Sequence, residues 1–306
     1  MGGSFPYAVP PAVAGWSSSG LRPASTTIQR PSNDGTGNFR VICRYSHMNY
    51  DDSIVYPGQA GRAHLHTYFG NTASDAASSP ASLLASGNST CGGIANRSSY
   101  WVPSVINASN QAVVPIWNMV YYKSGYQGVA PSQISSTLPN GLKIIAGSAL
   151  ATSAQTAPAR WACADSGGAY TPEQYSIPAC QPGDTLKMHI QFPQCWDGIN
   201  LDSADHKSHM AYGTGGVGCP SSHRVALPAI SYNIDFPVGA AGTTGWKLAS
   251  DTYLNGPGST SPGGYSLHAD IIIAWDPAVS SQWLNNCTRS NADCHVGVIS
   301  DTQQIG

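Results

Sequence analysis

Charge is what this chain has least of. Only 10% of its 306 residues are Asp, Glu, Lys or Arg, against about 25% in an average soluble domain. Glu is nearly missing, with Glu173 the single one among 16 acidic residues. Helical surfaces draw heavily on Glu and Lys, so this shortage speaks for strands and loops. The net charge of −2 comes without a basic run, which leaves no electrostatic footprint for nucleic acid. No apolar run approaches the ~20 residues a bilayer requires, so no membrane span is expected. The GxSxG elbow, the P-loop, HExxH and the EF-hand loop are missing, as is a GxGxxG following a predicted strand, and each absence removes one reaction template.

No linker and no internal repeat interrupts the chain. A domain of this length buries a sizeable core without a metal or a partner, and a monomer is expected. Residues 1–36, rich in Pro, Ser and Gly, read as an extension wrapping the surface. Residues 37–306 read as a single β-rich catalytic domain. Met1-Gly2-Gly3 is followed by neither a basic nor an apolar leader, so the start reads as placed after a removed secretory signal.

What the chain does have is Gly (33), Pro (22) and an even set of 8 cysteines. Cys43, Cys91, Cys163, Cys180, Cys195, Cys219, Cys287 and Cys294 are well separated and contain no CxxC pair. That pattern points to disulfides in an oxidising, extracellular compartment and away from a zinc knuckle. Sequential pairing (43–91, 163–180, 195–219, 287–294) is the expectation. A loop of ~15 residues, such as Cys163 to Cys180 would close, contributes about 3 kcal/mol in chain-entropy terms. With all cysteines paired, no thiol nucleophile is expected.

Runs of β-branched and aromatic residues predict strands at Phe39–Tyr45, Ala112–Lys123, Leu142–Ala146, Thr185–Phe192, Val225–Phe236 and Ser266–Trp275. Asn140-Gly141 marks a tight turn. Helical signals are short: Ser79–Ser86, Pro172–Ser176 and Pro277–Asn286, the last opened by an Asp276 cap and an N1 proline. The fold class that follows is all-β, a β-sandwich or jelly-roll-like single domain with four disulfides and long loops that carry the chemistry.

Seven of the nine histidines fall in five short motifs. His47 precedes Tyr50, Asp51 and Asp52. His64 and His66 form an HxH pair, flanked by Arg62 and Tyr68. His206 and His209 sit in a loop with Trp196, Asp197, Asn200, Asp202, Asp205 and Lys207. His223 follows Cys219, and His268 and Asp270 alternate along an apolar run ending at Trp275. On a strand, HxH sends both imidazoles to one face, as metal ligands or paired proton carriers require. Two polar positions flanking a buried Leu65 would look the same. His206 and His209 share a face if their segment makes a helical turn, although Asp197-Gly198 alone reads as an Asx turn. A carboxylate such as Asp270 beside His268 can fix its tautomer and raise its basicity. A core hydrogen bond without chemistry is the alternative there. His47 and His223, standing alone, read as structural.

The segments DDSIVYPG, HLHTYFGN, STCGG, RSSYWVP, FPQCWDG, NLDSADHKSHMAY, CPSSH and HADIIIAWD together resemble a secreted fungal and bacterial family catalogued as a domain of unknown function. In fungi that family is often found beside WSC carbohydrate-binding modules. Arg62-Ala63 stands where Ser is frequent before the first His, and Ala274 where Gly usually precedes Trp-Asp. The resemblance implies an extracellular protein associated with carbohydrate, and no reaction.

The leading expectation is therefore a secreted enzyme that cleaves polysaccharide. Sugars stack on aromatic faces and bond to amides and carboxylates, which nominates Tyr50, Tyr68, Tyr100, Trp101, Trp196, Tyr212 and Trp275, with Asp52, Arg62, Lys207 and His223, as substrate contacts. The catalytic candidates are His64, His66, Asp197, Asp202, His206, His209, His268 and Asp270. A glycoside hydrolase needs two carboxylates, here Asp197, Asp202 or Asp270 with Asp52 in reserve. A uronate lyase needs a base, an acid and a group such as Arg62 or Arg97 to neutralise the uronate. The alternative is a divalent cofactor, zinc or copper, on His64, His66 and His206 or His209. A non-catalytic wall-binding module is the rival from another class.

Overall fold

A computed structural model describes residues 7–16, 19–155, 158–252 and 262–306. Eleven strands carry the fold: β1 (Asn38–Cys43), β2 (Tyr45–Asn49), β3 (His66–Gly70), β4 (Ser99–Pro103), β5 (Trp117–Lys123), β6 (Lys143–Gly147), β7 (Ala159–Ala164), β8 (Thr185–Gln191), β9 (Ala229–Pro237), β10 (His268–Ile272) and β11 (Asp293–Val296). They form a six-stranded sheet in the order β11-β1-β5-β9-β8-β7 and a five-stranded sheet in the order β2-β3-β4-β10-β6. Pairing is antiparallel except between β11 and β1. The class is all-β, as expected.

Period-2 patterning explains why the sheets face each other. Phe39, Val41 and Cys43 of β1 are buried while Arg40 and Ile42 face outward. Val120 and Tyr122 of β5, and Tyr232 and Ile234 of β9, continue the inner face. Aromatic residues join the two sheets. The Tyr100 and Tyr122 hydroxyls lie 2.7 Å apart, and the Tyr232 hydroxyl donates to the Asp270 carbonyl at 2.8 Å. Helix α2 (Pro277–Trp283) starts as its cap predicts, with Asp276 accepting from Ala278 and Val279. Its Trp283 then stacks on Phe39 at 5.2 Å.

Four disulfides join the cysteines sequentially, 43–91, 163–180, 195–219 and 287–294. The short strand Leu21–Pro23 pairs with Gln303–Ile305, tying the N-terminal segment to the chain's end. Several boundaries differ from expectation for identifiable reasons. Pro172–Ser176 is not helical, because Gln174 exchanges both backbone hydrogen bonds with Trp161 of β7. Proline also trims two strands by removing a ladder donor: β5 begins only after Pro115, and Pro228 divides Val225–Ala226 from β9. Strands β2, β4, β7 and β11 lie outside the predicted set, and β3 is indicated only by the HxH pair.

The outer face of the five-stranded sheet is not open to solvent. Segment 50–65 and helix α1 (Pro80–Ala85) lie over it, packing Ile54 and Leu83 on Tyr68, Trp101, Ile272 and Ala274. Asp side chains fold that cover. Asp52 accepts from the Ile54 and Val55 amides, and Asp51 from those of Gly61 and Ala76. Gly58, at φ 73°, turns the chain so that its amide reaches the Ala76 carbonyl.

Candidate active site

Strand register brings the cluster together. Tyr68 of β3 pairs with Trp101 of β4, and Trp101 with Asp270 of β10, so all three side chains share the covered face. His66 and His268 are each two residues from a member of this row, hence on the same face. His64 precedes β3, yet its ring centroid lies 4.1 Å from that of His66 and 4.9 Å from that of His268. One ligand atom from each of these three imidazoles lies within 4.8 Å of the others, and the same holds for Asp52, His66 and Asp270. All five side chains are buried. Two strands, β3 and β10, and the covering segment thus converge on one point.

Hydrogen bonds fix how the imidazoles face that point. The Nδ1–H of His66 donates to the Asp51 carbonyl at 2.8 Å, and that of His268 to the Ser266 carbonyl at 2.9 Å. A backbone carbonyl can only accept, so each Nε2 is left carrying a lone pair. The Nε2 of His66 and both carboxylate oxygens of Asp270 are buried with no hydrogen-bond donor among the described residues. His268 Nε2 stands 3.9 Å from Asp270 Oδ2, too far for a hydrogen bond. Electron-pair donors therefore face one another in the interior, an arrangement that costs free energy unless a positive centre lies among them.

Burial sets the electrostatics. It pulls the His66 imidazole down to about 4, against the Asp51 carbonyl bond. His268 falls to about 3, through burial and then the neighbouring His66. His64 also lies well below the usual imidazole range, for the same reasons. Burial raises the carboxyls of Asp52 and, with the Asp52 charge added, of Asp270. The Tyr68 phenol, buried and donating to the Asp51 carbonyl, is raised well above its usual value. At neutral pH the imidazoles are thus uncharged electron-pair donors.

The remaining expected site residues divide. Trp101 stacks on Tyr68 at 5.5 Å and lines the cluster. Lys207 donates to the carbonyl of Gly147, the register partner of His268, at 2.6 Å. Tyr212 and Lys207 border a hollow of about 240 Å³ next to that strand end. Arg62 lies over the Tyr56 ring at 5.5 Å on the covering segment, and Tyr50 packs by Tyr45 and Met48.

The imidazoles that converge are His64, His66 and His268, so the metal set that included His206 or His209 is corrected by position. His209 uses both ring nitrogens, on Ser203 Oγ and the Lys143 carbonyl. His206 bonds Asp202 at 2.8 Å, and the third imidazole beside the HxH pair is His268 instead. Asp197 caps its own turn through the Ile199 and Asn200 amides, and Trp196 donates to the Asn200 carbonyl. Asp202 pairs with Lys143 at 2.9 Å. His223 pins its loop to the Ser208 carbonyl. Tyr100 and Trp275 both bond Tyr122 in the core between the sheets, away from the covered face. Arg97 holds the carbonyls of Leu84 and Gly87 behind α1.

The parts that sequence reasoning missed are backbone atoms. The carbonyls of Asp51 and Ser266 orient the two imidazoles, and nothing in a side-chain inventory announces them. Asp52, expected as a substrate contact and as the reserve carboxylate, lies in the cluster itself.

No curated protein and no solved structure matches the chain. A comparison with protein families matches residues 52–275, a span running from Asp52 to Trp275 that contains the whole histidine–aspartate cluster. By that match the chain belongs to the family described as Domain of unknown function (DUF1996).

Proposed function

We propose that this protein is a secreted enzyme that cleaves polysaccharide chains, with a divalent metal held by His64, His66 and His268. The observation that carries the reading is the convergence of lone pairs: two imidazoles with Nδ1 tied to carbonyls, facing an Asp270 carboxylate that has no donor among the described residues. Three nitrogen ligands with carboxylates close by suit zinc or copper. Carbonyl bonds to the remote ring nitrogens are the usual means of orienting such ligands. When bound, the metal would polarise substrate or activate water. The chain's own residues supply the rest. Asp52 and Asp270 offset the cation's charge, the Asp51 and Ser266 carbonyls hold the ring planes, and Tyr68, Trp101 and Ile54 exclude water.

A glycan substrate agrees with a surface built from hydroxyls, amides and aromatic rings, poor in charge. It also agrees with the hollow by β6, where Lys207 keeps N–H groups beyond its Gly147 bond and the Gln155 and Tyr212 oxygens, whose own donors bond backbone carbonyls, can still accept. Four disulfides suit an extracellular setting.

The test joins two measurements. Protein purified without chelator should contain about one zinc or copper per chain by elemental analysis, and His66→Ala should contain none. On a glycan panel, chelated protein should lose activity roughly 10³-fold or more, consistent with the several kcal/mol a metal contributes, and regain it with the metal. Unsaturated ends absorbing in the ultraviolet identify a lyase, and reducing ends without them a hydrolase. Full activity after chelation removes the metal and leaves Asp52 and Asp270, whose oxygens lie within 4.8 Å, as a hydrolytic carboxylate pair. No cleavage of any glycan removes the enzyme.

A further inference from the structure

The outer face of the six-stranded sheet has a different character. Its outward residues are half-exposed: Tyr121 and Lys123 on β5, Ser231 and Asn233 on β9, His189 and Gln191 on β8. Register sets them side by side. Tyr121 lies opposite Ser231 and Ser231 opposite Gln191, while Asn233 lies opposite His189. Together with Tyr126 they line a hollow of about 300 Å³ in which no carboxylate takes part.

The groups in this hollow are those that hold a sugar. Lys123 Nζ sits between two phenol rings, 5.2 Å from the Tyr121 centroid and 4.8 Å from that of Tyr126. Its one hydrogen bond among the described residues is to the Tyr126 hydroxyl, at 2.6 Å. Among the described residues the Asn233 amide reaches only Ser231 Oγ, at 3.4 Å. The Gln191 side-chain amide has no partner among the described residues. Donors and acceptors are thus presented outward, beside rings that offer apolar faces.

Charge selects among sugars. Arg40 stands over Tyr121, Arg160 over Tyr175 and Lys187 over Tyr170, at 5.8, 4.4 and 5.4 Å. Asp235 is engaged by Lys187, Asp293 by Arg40, and Glu173 lies 3.7 Å from His189. Lys123, which Asp34 feels only at longer range, is thus the cation of this hollow that forms no ion pair among the described residues. An anionic ligand with hydroxyl groups satisfies it better than a neutral one.

We propose that this sheet face is a second carbohydrate site, distinct from the histidine cluster, that binds polysaccharide bearing uronate carboxylates. The Lys123 ammonium meets the carboxylate, Asn233, Gln191 and His189 bond the hydroxyls, and Tyr121 and Tyr126 give the stacking surface. The site needs no metal and lies on the opposite outer face of the sandwich, so it stands whether or not the cluster is catalytic.

The probes are polygalacturonate and, as the neutral control, laminarin, each in affinity electrophoresis with the full chain at low salt and in 0.5 M NaCl (roughly a Debye length of 4 Å). Polygalacturonate should retard the protein at low salt, high salt should weaken the retardation, and laminarin should have little effect. Lys123→Gln and Tyr121→Ala should each weaken retardation about 10-fold, in the range expected for one charge contact or one stacked ring, with thermal midpoints confirming the fold. His66→Ala should bind as the parent does. Equal retardation of parent and both variants overturns the proposal. So does a preference for laminarin, or no retardation by either polymer, and loss of binding in His66→Ala alone would place the polymer at the cluster instead.

Discussion

Asp270 and Asp235 occupy comparable positions, each outward-facing near the middle of a sandwich, yet they live in opposite environments. Asp235 lies opposite Lys187 in the strand register, and the ammonium closes on its carboxylate at 2.5 Å. Asp270 lies between Trp101 and Ile145, with no donor to either oxygen among the described residues. The same contrast separates the two outer faces as wholes. One is roofed by segment 50–65 and concentrates buried imidazoles and carboxyl groups. The other is open and spaces cations among rings. Strand periodicity treats both alike, so the difference comes from what the chain lays over the sheet. Roofing a face turns ordinary polar residues into a site, because desolvation makes each unpaired lone pair costly and therefore useful to a cation.

The largest effect that would test this contrast is in packing. Trp101→Ala removes a fully buried ring that stacks on Tyr68 under the cover, and should cost about 3–5 kcal/mol in urea unfolding. Tyr121→Ala on the open face should cost under about 1 kcal/mol. Similar losses at both would mean that the covered face is as hydrated as the open one.

Next in size comes a pair of substitutions with opposite signs. In chelated protein, Asp270→Asn removes a buried carboxyl whose charged form burial and the Asp52 charge disfavour and which has no donor among the described residues. Unfolding free energy should rise by about 1–3 kcal/mol, the usual cost of an unsatisfied buried group. Asp235→Asn breaks the Lys187 pair and should lower it by about 1–2 kcal/mol. With zinc or copper present, the Asp270→Asn gain should shrink, since binding stabilises the parent by about 2.7 kcal/mol at a hundredfold excess over Kd. A loss of stability in metal-free Asp270→Asn would show that this carboxylate is well satisfied, and would remove the main support for a cation between the imidazoles.

Much of this was legible beforehand. The scarcity of Glu and the turn residues pointed to strands, the spaced cysteines to their sequential bridges, and HxH with HxD to residues sharing a sheet face. The composition of the site was legible only in part, because proximity across sheets is not a local property. His268 lies two hundred residues beyond His66 and reaches it through β4, a strand hidden by its own burial on both faces. SYWVP alternates in nothing, so periodicity could not reveal it. The 195–212 loop drew attention by its density of polar groups, but a crowded loop can satisfy itself. Asp205 alone accepts from Ser203, Lys207 and Ser208, which holds its carboxyl well below the usual range. Self-satisfied groups and site-forming groups look the same in a sequence; they differ in whether their bonds close locally.

The smallest effect concerns Asp202, intermediate between the two regimes. Its side chain is 25% exposed and bonds both Lys143 and His206. Burial pushes its carboxyl up, but the Lys143 and His206 bonds and charges outweigh this and leave it below the ordinary value. The folded chain therefore holds this charge more readily than the unfolded chain, whose Asp titrates near about 3.9. The stabilisation is complete above that pH and disappears as pH falls through the lower, folded value. Asp202→Asn should accordingly cost under about 1 kcal/mol at pH 7, the range of a partly exposed pair, and nothing measurable near pH 2. Urea midpoints of parent and variant at pH 7, 5 and 2 report it directly. A gap that persists unchanged at pH 2 would assign the loss to shape and hydrogen bonding, and would place Asp202 with the self-contained loop residues such as Asp197 whose geometry, not charge, holds the turn.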